Sequence, residues 1–416
     1  GAFEIAETEW LKFLKNFPDD PLAGKAQHYL GICSLKLKKF DAAAAAFQKV
    51  VTKYPGFELT EEAYLNLGWC QYTLGQANDK KSAQLAKAKD TFARMLKLYP
   101  PGKGTKCDQA LFFQAETLYG LNDKEAAVRS YSTLLKGFSE SSLSRDALYA
   151  LGVTQEELGR YAKAGDAYQK FMGQYADHEL FSEVQMRHAE TLLQQGVVAQ
   201  QGGDTEMAGS LFKRAEAEFE KVARIKEFSS TDHALYRQAF CVIQRNDLTR
   251  AATIYEQIVG GFPDSQYVAQ ATLGAGRCYY RVEQLDQARE AFQRLWERGN
   301  QEASEAAHWL CQIHLRQGEF AAAAKLAGDA IKTAGESAFL VRLKMDYADA
   351  LFEQADHRVL ALKQYAAIVE THPEDASAPQ ANYNAAFAAL DLADYQRLAE
   401  LVQVFRARYA EHVLFP

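Results

Sequence analysis

A small residue, a bulky one nine positions on, an alanine at twelve and an aromatic at sixteen recur along this chain. Gly31 is followed by Phe40, Ala43 and Phe47; Gly152 by Tyr161, Ala164 and Tyr168; Gly276 by Leu285, Ala288 and Phe292. Ala239 leads Leu248, Ala251 and Tyr255 at the same offsets, and Ala115 leads Lys124, Ala127 and Tyr131. The spacing predicts a helical hairpin: helix A carries the small residue where helix B crosses closely, the bulky residue sits near the turn, and helix B turns alanine towards helix A and an aromatic into the gap beside the next copy. One such hairpin cannot bury its own apolar face, so copies must stack.

The prolines mark the same period. Pro18, Pro55, Pro100, Pro263 and Pro373 each follow a long amphipathic run ending in Phe17, Tyr54, Tyr99, Phe262 or His372. A proline just past a helix terminates it. Pro18 and Pro55 are 37 residues apart, and Pro263 and Pro373 about three times that. Alternating strand patterns are hard to find, so the expectation is an all-α chain with a period near 37. At 416 residues, 48% hydrophobic and 24% charged, it has ordinary globular composition. A net charge of −7 argues against a sequence-independent grip on nucleic acid, and no apolar run is long enough to span a bilayer.

The repeats resemble the tetratricopeptide repeat. Tyr29–Pro55, YLGICSLKLKKFDAAAAAFQKVVTKYP, carries the family's Leu-Gly in helix A, Lys-aromatic at the turn, Ala and Phe in helix B and a closing Pro; Ala150–Tyr175 is similar. The resemblance implies a right-handed superhelical solenoid with ligands lying in a concave groove lined by A helices. Its period near 37, with YP and FPDS junctions, resembles bacterial envelope members. A leading helix B at about 2–17 (partial repeat, 1–19) precedes ten hairpins: repeats one to five in 20–226 and repeats six to ten in 227–416. The second repeat carries an insertion, GQANDKKSA, expected between its helices; the fifth is longer, with Gly202 and Gly203 at its turn. The last hairpin has Leu398 where others have Ala. An unpaired leading helix and a C-terminus without a polar cap are read as those of a fragment of a larger protein.

Few residues suggest chemistry. TLGAGRCYY (Thr272–Tyr280) contains Gly-x-Gly, but a phosphate loop needs its glycines after a strand and before a helix N-terminus. Here Gly276 is the small residue of a helix A. Five of the six cysteines recur at the repeat period, Cys33, Cys70 and Cys107 and then Cys241 and Cys278, and the cysteines read as core filler on A helices. His308, Cys311 and His314 at i, i+3 and i+6 cannot ligate one metal from one helix. The lysines of Asn78–Lys89 and the charges of Glu216–Arg224 read as solvated faces. No nucleophile–base grouping is found, so no catalytic residue, metal or cofactor is expected.

The resemblance also implies which helix-A positions face the groove. Carried over, these are Leu65, Trp69 and Tyr72; Phe112, Glu116 and Tyr119; Tyr236 and Phe240; Arg277, Tyr280 and Arg281; His308, Gln312 and Arg316; and Tyr383 and Phe387. Trp, Tyr and Arg are enriched at binding hot spots. The arginine-bearing patch would suit an acidic peptide or chain carboxylate; the alternative is that these side chains pack against each other across neighbouring A helices. The carboxylate clamp of chaperone-binding members needs Asn at the ninth helix-A position, held here by Ile32, Trp69, Glu116, Val153, Glu190, Phe240, Arg277, Gln312, Asp349 and Phe387, so that clamp is absent. The reading is a non-enzymatic scaffold holding a protein or peptide, in envelope assembly at the bacterial periplasm or outer membrane. A recruiting arm of an enzyme with its catalytic domain elsewhere, and saccharide binding in the aromatic groove, are the alternatives.

Overall fold

A computed structural model of the chain describes residues 1–77 and 81–414. Those residues form 21 α-helices and no strand. The leading helix is α1 (Ala2–Asn16). Hairpins follow as α2 (Ala23–Lys36) with α3 (Phe40–Lys53), α4 (Thr60–Ala77) with α5 (Lys81–Leu98), α6 (Cys107–Gly120) with α7 (Lys124–Gly137), α8 (Ser144–Glu157) with α9 (Tyr161–Gln174), and α10 (Phe181–Gln201) with α11 (Thr205–Ala223). The second five are α12 (Thr231–Gln244) with α13 (Leu248–Gly261), α14 (Val268–Arg281) with α15 (Leu285–Arg298), α16 (Ala303–Arg316) with α17 (Phe320–Thr333), α18 (Leu340–Phe352) with α19 (Arg358–Thr371), and α20 (Ala378–Asp391) with α21 (Tyr395–Arg408). The all-α repeat fold expected from the recurrence is therefore present. The chain divides into two compact units, Gly1–Glu218 and Phe219–Pro416. In the first, α1 to α10 each pack on their chain neighbours; in the second, α12 to α21 do the same.

In five of the ten hairpins the setting contact lies between a glycine of helix A and an aromatic of helix B. A Cβ placed on Gly276 would lie 2.6 Å from a ring carbon of Phe292; on Gly31, 2.7 Å from Phe47; on Gly196, 2.8 Å from Phe212. Gly152 meets Tyr168 more tightly still. The rings are fully buried and the glycines stand in helices, where glycine costs roughly 1 kcal/mol relative to alanine. That cost is offset by seating a whole aromatic ring against bare backbone. Phe292 is also stacked on Trp309 of the next helix A, with ring centroids 6.1 Å apart, so the same ring closes the gap between hairpins. Repeat two keeps the contact despite its insertion: Gly68 meets Phe92, eight residues later than elsewhere.

The insertion expected between the helices of repeat two is taken up largely by the helices themselves. Gly75–Ala77 extend α4 and Lys81–Ala83 begin α5, so the extra residues lengthen both helices; Asn78–Lys80, including part of the lysine run, lie outside the described residues. Repeat five behaves likewise, with Gly202 and Gly203 at the turn. Glu216 corrects a second expectation. It is only 4% exposed, because it falls on the face of α11 that also buries Phe212 and Phe219, rather than on a solvated face.

Turn chemistry repeats with the helices. A left-handed residue ends the A helix at Asn122, Asn246 and Ala393. The next amide reaches back five residues, as in Asp123 N–H to the Leu118 carbonyl at 2.9 Å, closing the last carbonyls. The following aspartate then caps helix B: Asp123, Asp247 and Asp394 accept from the amides of Ala126, Arg250 and Arg397. At the other end, a tyrosine just past helix B binds the preceding junction in two repeats. Tyr54 donates to the Pro18 carbonyl at 3.4 Å and Tyr409 to the Pro373 carbonyl at 3.0 Å. Tyr54 and Tyr409 thus pin one repeat to the next.

All six cysteines are buried free thiols. Burial pushes the Cys70 thiol up to about 12 and Cys278 up to about 11. We predict that none reacts appreciably with an aromatic disulfide reagent in the native state and that six react once denaturant is added; a fast native phase at pH 8 would contradict this placement. We also predict that Gly276→Ala destabilises by about 1–3 kcal/mol through overpacking. Phe292→Leu, added to it, should recover part of that loss in chemical denaturation, and strict additivity would count against the contact.

Candidate functional site

The A helices place their non-core side chains on one face of each unit, and the structure shows what those side chains already hold. Trp69 packs edge-on against Phe40, with centroids 5.7 Å apart. Tyr72 donates to Glu116 Oε2 at 3.3 Å, and Tyr131, from helix B of the same hairpin, donates to Glu116 Oε1. Tyr119 donates to Glu157 at 2.8 Å. Burial, reinforced by Glu116, pushes the Tyr72 phenol up to about 12, and burial with Glu157 does the same for Tyr119. Both phenols therefore stay protonated donors.

In the second unit, Tyr236 stacks on Tyr267 at 5.0 Å and tilts against Tyr255 at 5.8 Å, while Phe240 is half-buried on the same helix. Arg277 is ion-paired with Glu305, which also accepts from Trp309 at 3.0 Å. Arg316 holds Glu283 at 3.1 Å and lies over the Tyr280 ring at 5.3 Å. Arg281 reaches Asn246 at 3.4 Å. His308 and Gln312 both bond Asp346, at 2.6 and 2.7 Å. An acidic peptide at this patch would have to displace resident carboxylates from Arg277 and Arg316. The packing of these side chains across neighbouring A helices, the alternative reading, is thus realised for much of the set. Leu65 is a correction: at 7% exposed it belongs to the core of the second repeat with Phe92 and Met95, because its helix position turns it inwards.

Two clefts remain open on these faces. In the first unit a cleft of about 370 Å³ is lined by the predicted Phe112, Glu116 and Tyr119, with Tyr149, Val153 and Leu180 beside them. In the second a larger one, about 560 Å³, is lined by the predicted Tyr383 and Phe387 and by Leu315, Phe320, Phe352 and Asp349, among others. Tyr383 and Phe387 are 46% and 52% exposed and also line a smaller apolar cleft between α20 and α21. The floor of the larger cleft was not anticipated. Asp349 Oδ1 accepts from Tyr365 at 2.5 Å and from Asn384 at 3.3 Å. Its signal in sequence was a carboxylate at a groove-facing position with a tyrosine sixteen residues later; Glu116 and Tyr131 repeat it at fifteen.

Burial pushes the Asp349 carboxyl up to about 6 from its ordinary 3.8; Asp346 and Glu353 add to the rise, and the two hydrogen bonds oppose it. Between those values the folded state holds a proton that the unfolded state has released. This carboxyl's contribution therefore favours folding below about 4 and is lost as pH rises through about 6. We predict that Asp349→Asn, which keeps an acceptor for Tyr365, stabilises the chain by roughly 1 kcal/mol at pH 7.5 and leaves it unchanged at pH 4. Denaturant titrations at the two values check this; equal effects at both would contradict the burial argument.

Among the described residues no group of three or more His, Cys, Asp or Glu side chains could hold a metal ion, and no helix is long and apolar enough to cross a membrane. His314 pairs instead with Glu319 at 2.5 Å, and Cys311 is buried.

Family models described as tetratricopeptide repeat match residues 1–56 and 114–179, 62–101, and 242–309, together more than half of the chain. The sequence matches no curated protein. Among solved structures, a tetratricopeptide repeat protein from Parabacteroides merdae is similar, at 17% identity, covering 65% of this chain and 91% of that one with a TM-score of 0.36. Yeast Tom70 is similar at 14% identity over 93% of this chain and 92% of its own, TM-score 0.36. TTC0263, a thermophilic repeat protein from Thermus thermophilus, is similar at 19% identity over 46% and 91%, TM-score 0.32.

Proposed function

This chain belongs to the tetratricopeptide repeat family, and from that premise we propose that it is a non-enzymatic scaffold that holds a protein partner along its helix-A faces. The observation that supports this reading is the pair of aromatic clefts, one on each unit's helix-A face, left open between the side chains that bridge neighbouring A helices. Phe387 touches the Phe352 ring with centroids 5.8 Å apart yet stays 52% exposed, leaving much of its ring open to a partner. The same surface is rigid. Helix backbones and tyrosine–carboxylate bonds hold the clefts before a partner arrives, which lowers the ordering cost of association. A setting at the bacterial envelope is part of the proposal, on the strength of the long repeat period.

The test is affinity capture from native extracts with mass spectrometry, comparing the wild-type chain with Tyr119→Ala and with Tyr383→Ala plus Phe387→Ala. We expect a partner recovered by the wild-type chain to be depleted at least about tenfold by one of these variants, the cost expected for losing hot-spot aromatics. Their melting temperatures should stay within a few degrees of wild type. Lys163→Ala, an exposed change on a B helix, should have no effect. Undiminished recovery on every cleft variant would overturn groove binding.

A further inference from the structure

The two clefts differ in how their carboxylates are used. In the first unit both oxygens of Glu116 accept phenol protons, one from Tyr131 and one from Tyr72. Glu157 is likewise engaged, by Tyr119 and by Lys124 at 3.3 Å. That floor is satisfied. In the second unit Tyr365 and Asn384 both donate to Oδ1 of Asp349, and among the described residues no donor reaches Oδ2. Because Asp349 lines the cleft and Oδ2 is not enclosed, that oxygen faces the opening.

Neighbouring charges reinforce the difference. Asp346, Asp349 and Glu353 fall at i, i+3 and i+7 along α18 and its last turn, and so share one helix face. Asp346 is satisfied by His308 and Gln312. Glu353 is exposed, lines the cleft and has no cationic partner among the described residues. The nearby Arg358 is committed elsewhere: its guanidinium binds Asp391 at 2.7 Å and lies over the Phe352 ring at 5.4 Å. The cleft therefore presents a partly buried, half-used carboxylate and a second free one, walled by Phe352, Tyr383 and Phe387. A carboxylate in such surroundings gains most from a cation that is itself weakly hydrated and can lie flat on rings.

We propose that this cleft takes the guanidinium of an arginine side chain from an extended basic segment of a partner protein, bonded to Asp349 Oδ2 and Glu353 and stacked on the Phe352–Phe387 wall. The assignment rests on the groove-binding reading and narrows it to a partner chemistry opposite to the acidic peptide expected from the arginine patch. An arginine fork supplies donors to both carboxylates at once, and its plane matches the aromatic walls. An acidic segment would instead bring a third uncompensated charge to this face.

The test uses the full chain and three fluorescein-labelled nonapeptides of serine and leucine carrying arginine, glutamine or glutamate at every third position. Fluorescence anisotropy should show the arginine peptide binding at least about tenfold more tightly than the other two. Asp349→Asn with Glu353→Gln should remove most of that preference. Asp19→Asn with Glu58→Gln, which removes the same charge from exposed positions in the first unit, should leave it intact. Both variant pairs should keep wild-type circular dichroism. If the three peptides bind alike, or the arginine preference survives in Asp349→Asn with Glu353→Gln, or falls equally in both pairs, the arginine assignment is overturned. So it is if the arginine peptide fails to bind. Groove binding itself is judged separately, by whether the aromatic cleft variants lose a partner captured from native extracts.

Discussion

Five of the ten hairpins are set by an aromatic ring against a bare helix backbone. Where Phe292 meets Gly276, or Phe47 meets Gly31, the missing Cβ lets two helices approach until the ring fills the space between them. Interiors are packed at crystal-like density, so a methyl group's difference at this point is felt through the hairpin. The same ring then touches the next helix A, as Phe292 touches Trp309 and Phe92 touches Phe113. One contact therefore sets both the angle within a repeat and the seating of its neighbour. Repetition of a single local solution builds each unit, as nearest-neighbour stacking requires.

That arrangement has a consequence for function. With the core supplied by the inner faces of both helices, the outer face of helix A is released from packing duty. It is occupied by long polar and aromatic side chains that bridge from one A helix to the next: Tyr72 to Glu116, Tyr119 to Glu157, Arg277 to Glu305, His308 to Asp346. The bridges are few atoms wide and leave clefts between them. Whether a cleft can recruit charge depends on stoichiometry. Two phenols saturate Glu116, whereas two donors crowd one oxygen of Asp349 and leave the other bare. Burial holds Asp349 near 6, so at neutral pH it is an ionised group that its own surroundings do not fully compensate.

Several titratable groups on the helix-A faces and beneath them are held in one state: burial drives Tyr72 and Tyr119 further towards their protonated form, and Cys70 and Cys278 lie in helix interiors with raised thiol values. What the faces offer is shape, aromatic area and fixed charge, the means by which one preformed protein surface recognises another.

Much of this was legible in the amino-acid sequence, because the recurrence is local. Gly276 with Phe292, Pro373 behind His372, and Asn246 ahead of Asp247 each carry their meaning within one hairpin, so helix content, repeat number and the innocence of TLGAGRCYY follow from spacing alone. The groove-facing assignment of Phe112, Tyr119, Tyr383 and Phe387 is what the family resemblance implies rather than the spacing, and these four residues line clefts. Counting failed where one helix turn separates surface from core, as at Leu65 and Glu216, since those positions depend on how far each helix rotates against its neighbours. It also could not tell that Arg277 and Arg316 spend their charge on Glu305 and Glu283 while Asp349 keeps an oxygen free. Those pairings join residues about 16 to 35 positions apart, and only the closing of each hairpin and its stacking on the next decide which donor reaches which acceptor.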